Sequence, residues 1–122
     1  MGREVHFKEE EFVLKLTGVL SLFALKWQLK IPYKTIKNVY IDDFDPPMWM
    51  LRMPGTAIAP LNIYEGSFKF GNEWYFISSE HKVPLVHIEL ENFGKYKYVI
   101  FEVENPRAVM IELRKKLRKL ED

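Results

Sequence analysis

Short runs in which apolar and polar residues alternate occupy most of this chain, and turn-forming residues separate them. In the run EFVLKLT, Phe12, Leu14 and Leu16 fall on one side while Val13 and Lys15 fall on the other, which is the period of a half-buried strand. Aromatic residues make up 15% of the chain and also favour β-structure. These features predict a mainly β (α+β) fold built from short antiparallel strands.

The runs predict about seven strands with short connections. The Gly71–Asn72 pair is typical of a hairpin turn, and Pro32 ends a strand because it has no N–H to donate. The segment EVHF is a candidate partner for the first of these strands, and VLSLFALK (19–26) fits either a strand or a short helix, of which we favour the helix. The predicted strands cover residues 12–17, 27–32, 38–43, 62–70, 73–79, 84–90 and 97–103.

The last part of the chain changes to a helical period. Apolar residues recur every three or four positions from Val109 to Leu120, and Asn105 and Pro106 suit the N-cap and the first helical position. We therefore predict one amphipathic helix over residues 106–119, which covers a strongly bent sheet or caps a small barrel.

Length and composition narrow the class of protein. The 122 residues suit a single domain over residues 1–122, and the net charge of +1 gives no overall field to attract nucleic acid. The absence of cysteine excludes disulfides, thiolate catalysis and cysteine-based metal sites. No apolar run reaches the length of about 20 residues that a membrane span needs. We predict a cytoplasmic protein with no integral membrane segment.

Three stretches carry a resemblance to a known family. LKIPYKTIKNVYID resembles a signature of bacterial pleckstrin-homology-like (PH-like) domains, in which a strand ends at a proline turn and the chain re-enters the sheet. LRMPGTAIAPLNIYEGSF and VIFEVENPRAVMIELRKKL resemble segments of a group of uncharacterised bacterial proteins of this length. The resemblance covers roughly residues 12–118. It implies a PH-like barrel capped by a C-terminal helix, and it implies no activity, catalytic residue or cofactor.

The first hairpin turn argues against one function of eukaryotic PH domains. Those that bind phosphoinositides hold the phosphates with basic residues at this turn. Here the turn reads FKEEEF, and the carboxylates of Glu9, Glu10 and Glu11 repel a phosphorylated headgroup. We therefore do not predict lipid-phosphate binding at this place.

The segment PPMWMLRMPGTAIAP (46–60) crowds large apolar side chains between prolines. We favour closure of the protein's own core, with Trp49 and Leu51 inserted and Arg52 in solvent, because exposed apolar patches are normally small. An interface with a second copy or a partner, and a ligand or membrane contact, are the alternatives, since Met and Trp are adaptable contact residues. The candidate contact residues are Met48, Trp49, Met50 and Met53.

Residues that commonly carry chemistry form no recognised motif. The acidic DDFD at 42–45 lacks the spaced ligands, glycine and distal glutamate of a calcium loop. His6, His81 and His87 form no HExxH pair, and His87 has the outward parity of its strand. No serine lies in a G-x-S-x-G turn, and there is no P-loop. The sequence predicts a non-enzymatic protein without metal or cofactor.

The strongest charge cluster is RKKLRKL (114–120). It fits the solvated outer face of the last helix, which we favour, or a surface for an anionic membrane or nucleic acid. We predict a PH-like interaction module that binds another protein or its own copy. The alternative is peripheral binding of anionic lipid or a small ligand through the basic C-terminal helix and aromatic residues such as Trp74, Tyr75 and Tyr96. The candidate residues of the cluster are Arg114, Lys115, Lys116, Arg118 and Lys119.

Overall fold

The fold is mainly β with one C-terminal helix. The computed structural model describes residues 2–17, 28–44, 51–58 and 63–121, with backbone alone at 51–58, 63 and 121. A one-turn 3-10 helix spans Tyr33–Thr35. The strands in the described part are β1 (Arg3–Phe7), β2 (Glu11–Leu16), β3 (Gln28–Pro32), β4 (Ile36–Asp42), β5 (Leu51–Ile58), β6 (Ile63–Phe70), β7 (Glu73–Ser79), β8 (Leu85–Leu90) and β9 (Tyr96–Phe101), and the helix is α1 (Pro106–Glu121).

The strands lie in two sheets. The smaller sheet is antiparallel, in the order β1-β2-β3, and the larger has six strands in the order β4-β8-β9-β7-β6-β5. In the larger sheet every pair is antiparallel except β7–β9, which is parallel. The prediction of a wholly antiparallel arrangement is therefore wrong at this pair.

The parallel pair arises because β9 lies between β7 and β8. The short connection between β7 and β8 therefore crosses the end of β9. Glu102, directly after β9, donates its N–H to the Ser78 carbonyl at 2.9 Å, and its carboxylate accepts the N–H groups of Glu80 and His81. These long-range bonds hold the returning strand against β7, and short-range turn chemistry cannot reveal them.

The predicted elements agree closely with the observed ones. All seven predicted strands are present with bounds within two residues, EVHF forms part of β1 and pairs with β2, and the helix extends two residues further, to Glu121. The predicted short helix at 19–26 lies outside the described residues. Strand β5 was missed, because its Pro54 and Gly55 favour a loop in the sequence. It lies at the edge of the sheet with a register shift between Arg52 and Gly55, a place where proline is tolerated.

The main core lies between the two sheets and α1. Phe12, Leu14 and Ile31 from the small sheet are fully buried there, as the alternation of β2 and β3 predicts. Val99 and Phe101 of β9 meet them from the large sheet, and the rings of Phe12 and Phe101 stack at 5.8 Å. Each such side chain contributes about 1.5–3 kcal/mol when fully buried.

Helix α1 begins and packs as the sequence predicts. The Asn105 side chain accepts the N–H of Ala108 at 3.2 Å, which confirms it as the N-cap. Val109 and Leu113 are buried in the main core, and the helix packs against β4, β8 and the 3-10 helix. The helix thereby covers β4, which is one edge of the large sheet.

The other face of the large sheet carries a second cluster, which we call the aromatic face. His87 lies on this face, opposite Val86 and Ile88 of the main core, as its parity predicts, but it is only 6% exposed and does not lie in solvent. Its ring stacks on Tyr40 at 4.9 Å, and its Nε2 lies 3.1 Å from the Asp42 carbonyl oxygen. The alternation separated the two faces correctly, and His87 is buried because both faces of the sheet are packed. The aromatic face comprises Tyr40, Phe44, Tyr64, Phe68, Phe70, Tyr75, His87 and Tyr98.

Candidate interaction surface

The predicted basic cluster separates into residues with different roles. Arg114 donates from Nε and Nη2 to the Val39 carbonyl of β4, at 3.2 and 2.7 Å, so it satisfies the backbone of an edge strand. Lys115 pairs with Glu112 at 3.7 Å. Arg118 and Lys119 are exposed and Lys116 is half-buried. Within the described part of the chain, these last three cations have no ion-pair partner.

The predicted contact residues of segment 46–60 mostly lie outside the described residues. Met48, Trp49 and Met50 belong to that part of the chain, as does the predicted insertion of Trp49. Met53 lies in β5, where the structure describes the backbone alone.

A buried charge cluster ties β1 to the large sheet, and we call it the Arg3 cluster. The Arg3 guanidinium donates from Nε to the Glu102 carbonyl at 2.6 Å and from Nη1 to Ser78 Oγ at 3.0 Å. Its Nη1 also lies 3.4 Å from Glu65 Oε2, and its Nη2 lies 3.0 Å from Glu80 Oε1. The side chains of Arg3 and Glu65 are almost wholly buried. The cluster therefore clamps the first strand and three later parts of the chain together.

Glu102 extends this cluster to the surface. One of its carboxylate oxygens accepts the backbone N–H groups of Glu80 and His81, and the other lies 2.7 Å from His81 Nδ1. Burial alone raises the pKa of Glu102, but these hydrogen bonds and Arg3 together lower it below its ordinary value. The bond to Glu102 in turn raises the pKa of His81, whose side chain is 69% exposed.

Glu65 is the member whose protonation is most perturbed. Burial raises its pKa to about 7, although the hydrogen bond from Ser78 and the charge of Arg3 act in the opposite direction. A carboxyl group with this pKa is a candidate acid or base. Here, however, it is fully buried and bonded to Ser78 Oγ at 2.6 Å. The geometry fits a structural role in the cluster.

The cleft beside His81 leaves little room for a ligand. Its walls include Phe44 and Tyr64 of the aromatic face, and its volume is about 10 Å³, which is about the space one water molecule needs. The aromatic face itself is closely packed, with the rings of Tyr75 and Tyr98 stacked at 4.9 Å. Burial raises the pKa of Tyr75 to about 12, which agrees with that packing.

A much larger cleft lies between the β1–β2 turn and the end of α1, and we call it the turn–helix cleft. Its volume is about 310 Å³. Leu120 lines it and is 56% exposed, the highest value among the large apolar side chains that the structure describes. The lining residues are Glu9, Glu10, Glu11, Pro32, Tyr33, Lys34 and Leu120.

Backbone hydrogen bonds fix the acidic wall of this cleft. The turn closes through the Lys8 N–H, which donates to the Glu11 carbonyl at 2.9 Å. Tyr33 holds the turn from the other side: its N–H donates to the Glu10 carbonyl at 3.1 Å, and its hydroxyl donates to the Lys8 carbonyl at 2.7 Å. The acidic turn is thus bound to a buried tyrosine of the main core and does not need a partner to be ordered.

Lys34 lines the cleft, and two further cations lie on α1 next to Leu120, outside the lining itself. Lys116 precedes Leu120 by four residues and Lys119 by three, so Lys116 shares a helix flank with each of them. In the described part of the chain, neither ammonium group and none of the carboxylates of the turn takes part in an ion pair. Opposite charges therefore border one cleft that has a partly apolar floor.

Sequence reasoning identified the charges of this site but did not bring them together. It used the acidic turn only to argue against phosphate binding, and it treated the basic cluster separately. The helical period placed Leu120 on the buried stripe, and this prediction is wrong because the side chain lies near the end of α1 and is 56% exposed. The Arg3 cluster left no comparable signal, since its members are far apart in the chain.

Comparison with known proteins identifies no relative. No family model, no curated protein and no solved structure matches this chain. Within its described residues the protein has no helix with the length and apolar character that crossing a membrane requires. The PH-like family and the cytoplasmic location stay predictions from the sequence.

Proposed function

We propose that this chain is a non-enzymatic interaction module, of PH-like type, that binds a protein surface at the turn–helix cleft. The observation that carries the proposal is the exposed Leu120 between an ordered acidic turn and a basic helix flank, none of whose charges is paired within the described residues. Apolar contact at the centre with charges around it is the usual anatomy of a protein interface.

The distribution of bonded and unbonded charge also supports this proposal. The titratable groups that lie closest together, in the Arg3 cluster, are bonded to one another and to backbone groups. Around the turn–helix cleft, Glu9, Glu10 and Lys119 are exposed, Glu11 and Lys116 are half-buried, and none of them takes part in an ion pair with another described residue. Unlike the Arg3 cluster, these groups are available to a partner.

Photo-crosslinking tests the proposal. Leu120 is replaced by benzoylphenylalanine in the cells that naturally express the protein, and adducts are identified by mass spectrometry. The control carries the same probe at Glu73, the exposed first residue of β7, which does not line the turn–helix cleft. We expect a specific protein adduct from position 120 and not from position 73. Equal adducts at both positions, or none at either, contradict the proposal.

Binding to anionic lipid is a second candidate, and one observation favours it. Ile111 is 48% exposed and lies on the solvent face of α1, with the exposed Arg107 one turn before it and Arg118 two turns after it. Cations around an exposed apolar side chain are typical of interfacial helices. Sedimentation with phosphatidylserine vesicles at low salt should then capture the protein, and the double variant Arg107→Glu, Arg118→Glu should release it. No capture, or equal capture by phosphatidylcholine vesicles, excludes this candidate.

A further inference from the structure

The two walls of the turn–helix cleft are complementary to each other. The acidic wall consists of Glu9, Glu10 and Glu11, and Leu120 of α1 lines the cleft, with Lys116 one turn before it and Lys119 next to it in the chain. In a two-fold symmetric contact, the same patch of each copy faces the patch of the other, so the patch must contain both halves of every complementary pair. This cleft meets that requirement.

Charge balance favours a second copy as the occupant. The net charge of +1 imposes almost no overall repulsion between two copies. Within one copy, the three adjacent carboxylates repel one another, and cations from a partner relieve that repulsion. Leu120 and the half-buried Pro32 provide apolar surface whose burial drives association.

We propose that two copies of this chain associate about a two-fold axis through the turn–helix cleft. Lys116 and Lys119 of each copy face Glu9 and Glu10 of the other, and the Leu120 side chains lie at the centre. This inference rests on the proposed function and names its partner. Because charged groups surround the contact, association weakens as salt concentration rises.

Analytical ultracentrifugation with charge-reversed variants tests the arrangement. The variant Glu9→Lys, Glu10→Lys and the variant Lys116→Glu, Lys119→Glu each place like charges opposite one another in a symmetric dimer. We expect each variant alone to associate at least tenfold more weakly than the natural chain, since like charges across an interface cost several kcal/mol. An equimolar mixture of the two variants restores opposite charges on both sides of the axis, so a heterodimer should form.

The controls separate this contact from a general charge effect. Glu73→Lys and Arg107→Glu reverse exposed charges away from the cleft and should leave the dimer unchanged. Because Lys116 is half-buried, Lys119→Glu alone provides the test if circular dichroism shows that the double variant is unfolded.

Two outcomes overturn the inference. The first is that the natural chain remains monomeric at about 100 μM in low salt. The second is that the chain associates but that reversing the charges at the cleft does not weaken its association. The photo-crosslinking experiment distinguishes this failure from that of the proposed function. An adduct of position 120 with a different protein keeps the interaction module and excludes the second copy, whereas the absence of adducts excludes both.

Discussion

The Arg3 cluster and the turn–helix cleft contain the same kinds of charged residue in opposite environments. In the cluster, Arg3 is only 9% exposed. Its Nε, Nη1 and Nη2 donate hydrogen bonds to β6, to β7 and to the segments that follow β7 and β9. In the cleft, the carboxylates of Glu9 and Glu10 are exposed and unpaired within the described residues. The difference shows that position in the fold, and not residue type, decides whether a charge stabilises this protein or is available to a partner.

Removing Arg3, the centre of the cluster, should give the largest effect. Arg3→Met should lower the free energy of unfolding by about 3–5 kcal/mol at pH 8, because it leaves the Glu65 carboxylate buried without its partner. Urea denaturation measures this loss. The effect should be smaller at pH 5, where Glu65 can remain protonated.

Arg107→Met is the matched control, and since Arg107 is exposed it should change the free energy of unfolding by no more than about 0.5 kcal/mol. An equal loss in the two variants contradicts a structural role for the cluster.

The pH dependence of stability tests the same cluster with a smaller effect. The pKa of Glu65 is raised from 4.5 to about 7 in the folded protein, so the folded state binds this proton more tightly than the unfolded state. Its contribution is fully present below pH 4.5 and is lost as pH rises through 7, with a total on the order of 3 kcal/mol. Glu65→Gln should flatten the slope of unfolding free energy against pH in this window, while Glu73→Gln should not.

Two other members of the cluster, Glu102 and His81, also make the stability depend on pH. The lowered pKa of Glu102 gives stability that is lost as pH falls through its folded value, and the raised pKa of His81 gives stability that is lost as pH rises through its folded value. Both contributions remain in Glu65→Gln, so the difference between this variant and the natural chain isolates Glu65. An unchanged slope would show that Glu65 is ionised in the folded protein at neutral pH.

The sequence predicted those parts of the fold that local patterns control. Alternation located seven strands, and the helical period together with Asn105 located the last helix. Strand β5 was missed because Pro54 and Gly55 are tolerated only through its position at a sheet edge, which local sequence does not reveal. The parallel β7–β9 pair was missed because it depends on long-range bonds. The Glu102 carboxylate accepts the N–H groups of Glu80 and His81, which lie more than 20 residues before it in the chain.

The candidate site was predictable only in its components. Both charged stretches are evident in the sequence, but their position beside the same cleft depends on how the first hairpin packs on Tyr33 and on where α1 ends. Arg114 is a second example. The sequence placed it in a candidate binding surface, but its guanidinium donates to the carbonyl of Val39. A charge becomes interpretable only when its partners in the folded structure are known.

The smallest effect is expected from a substitution in the acidic turn of the turn–helix cleft. Glu10→Lys should change the free energy of unfolding of the monomer by less than about 0.5 kcal/mol, because the side chain is exposed and the turn is held by backbone bonds to Tyr33. At low salt the change should be slightly stabilising, since one repulsion within the turn becomes an attraction, and about 1 M salt should abolish it. Thermal unfolding at a protein concentration where only monomer is present measures this. A loss comparable to that of Arg3→Met would mean that the acidic turn is part of the stabilising framework and that its charges are not reserved for a partner.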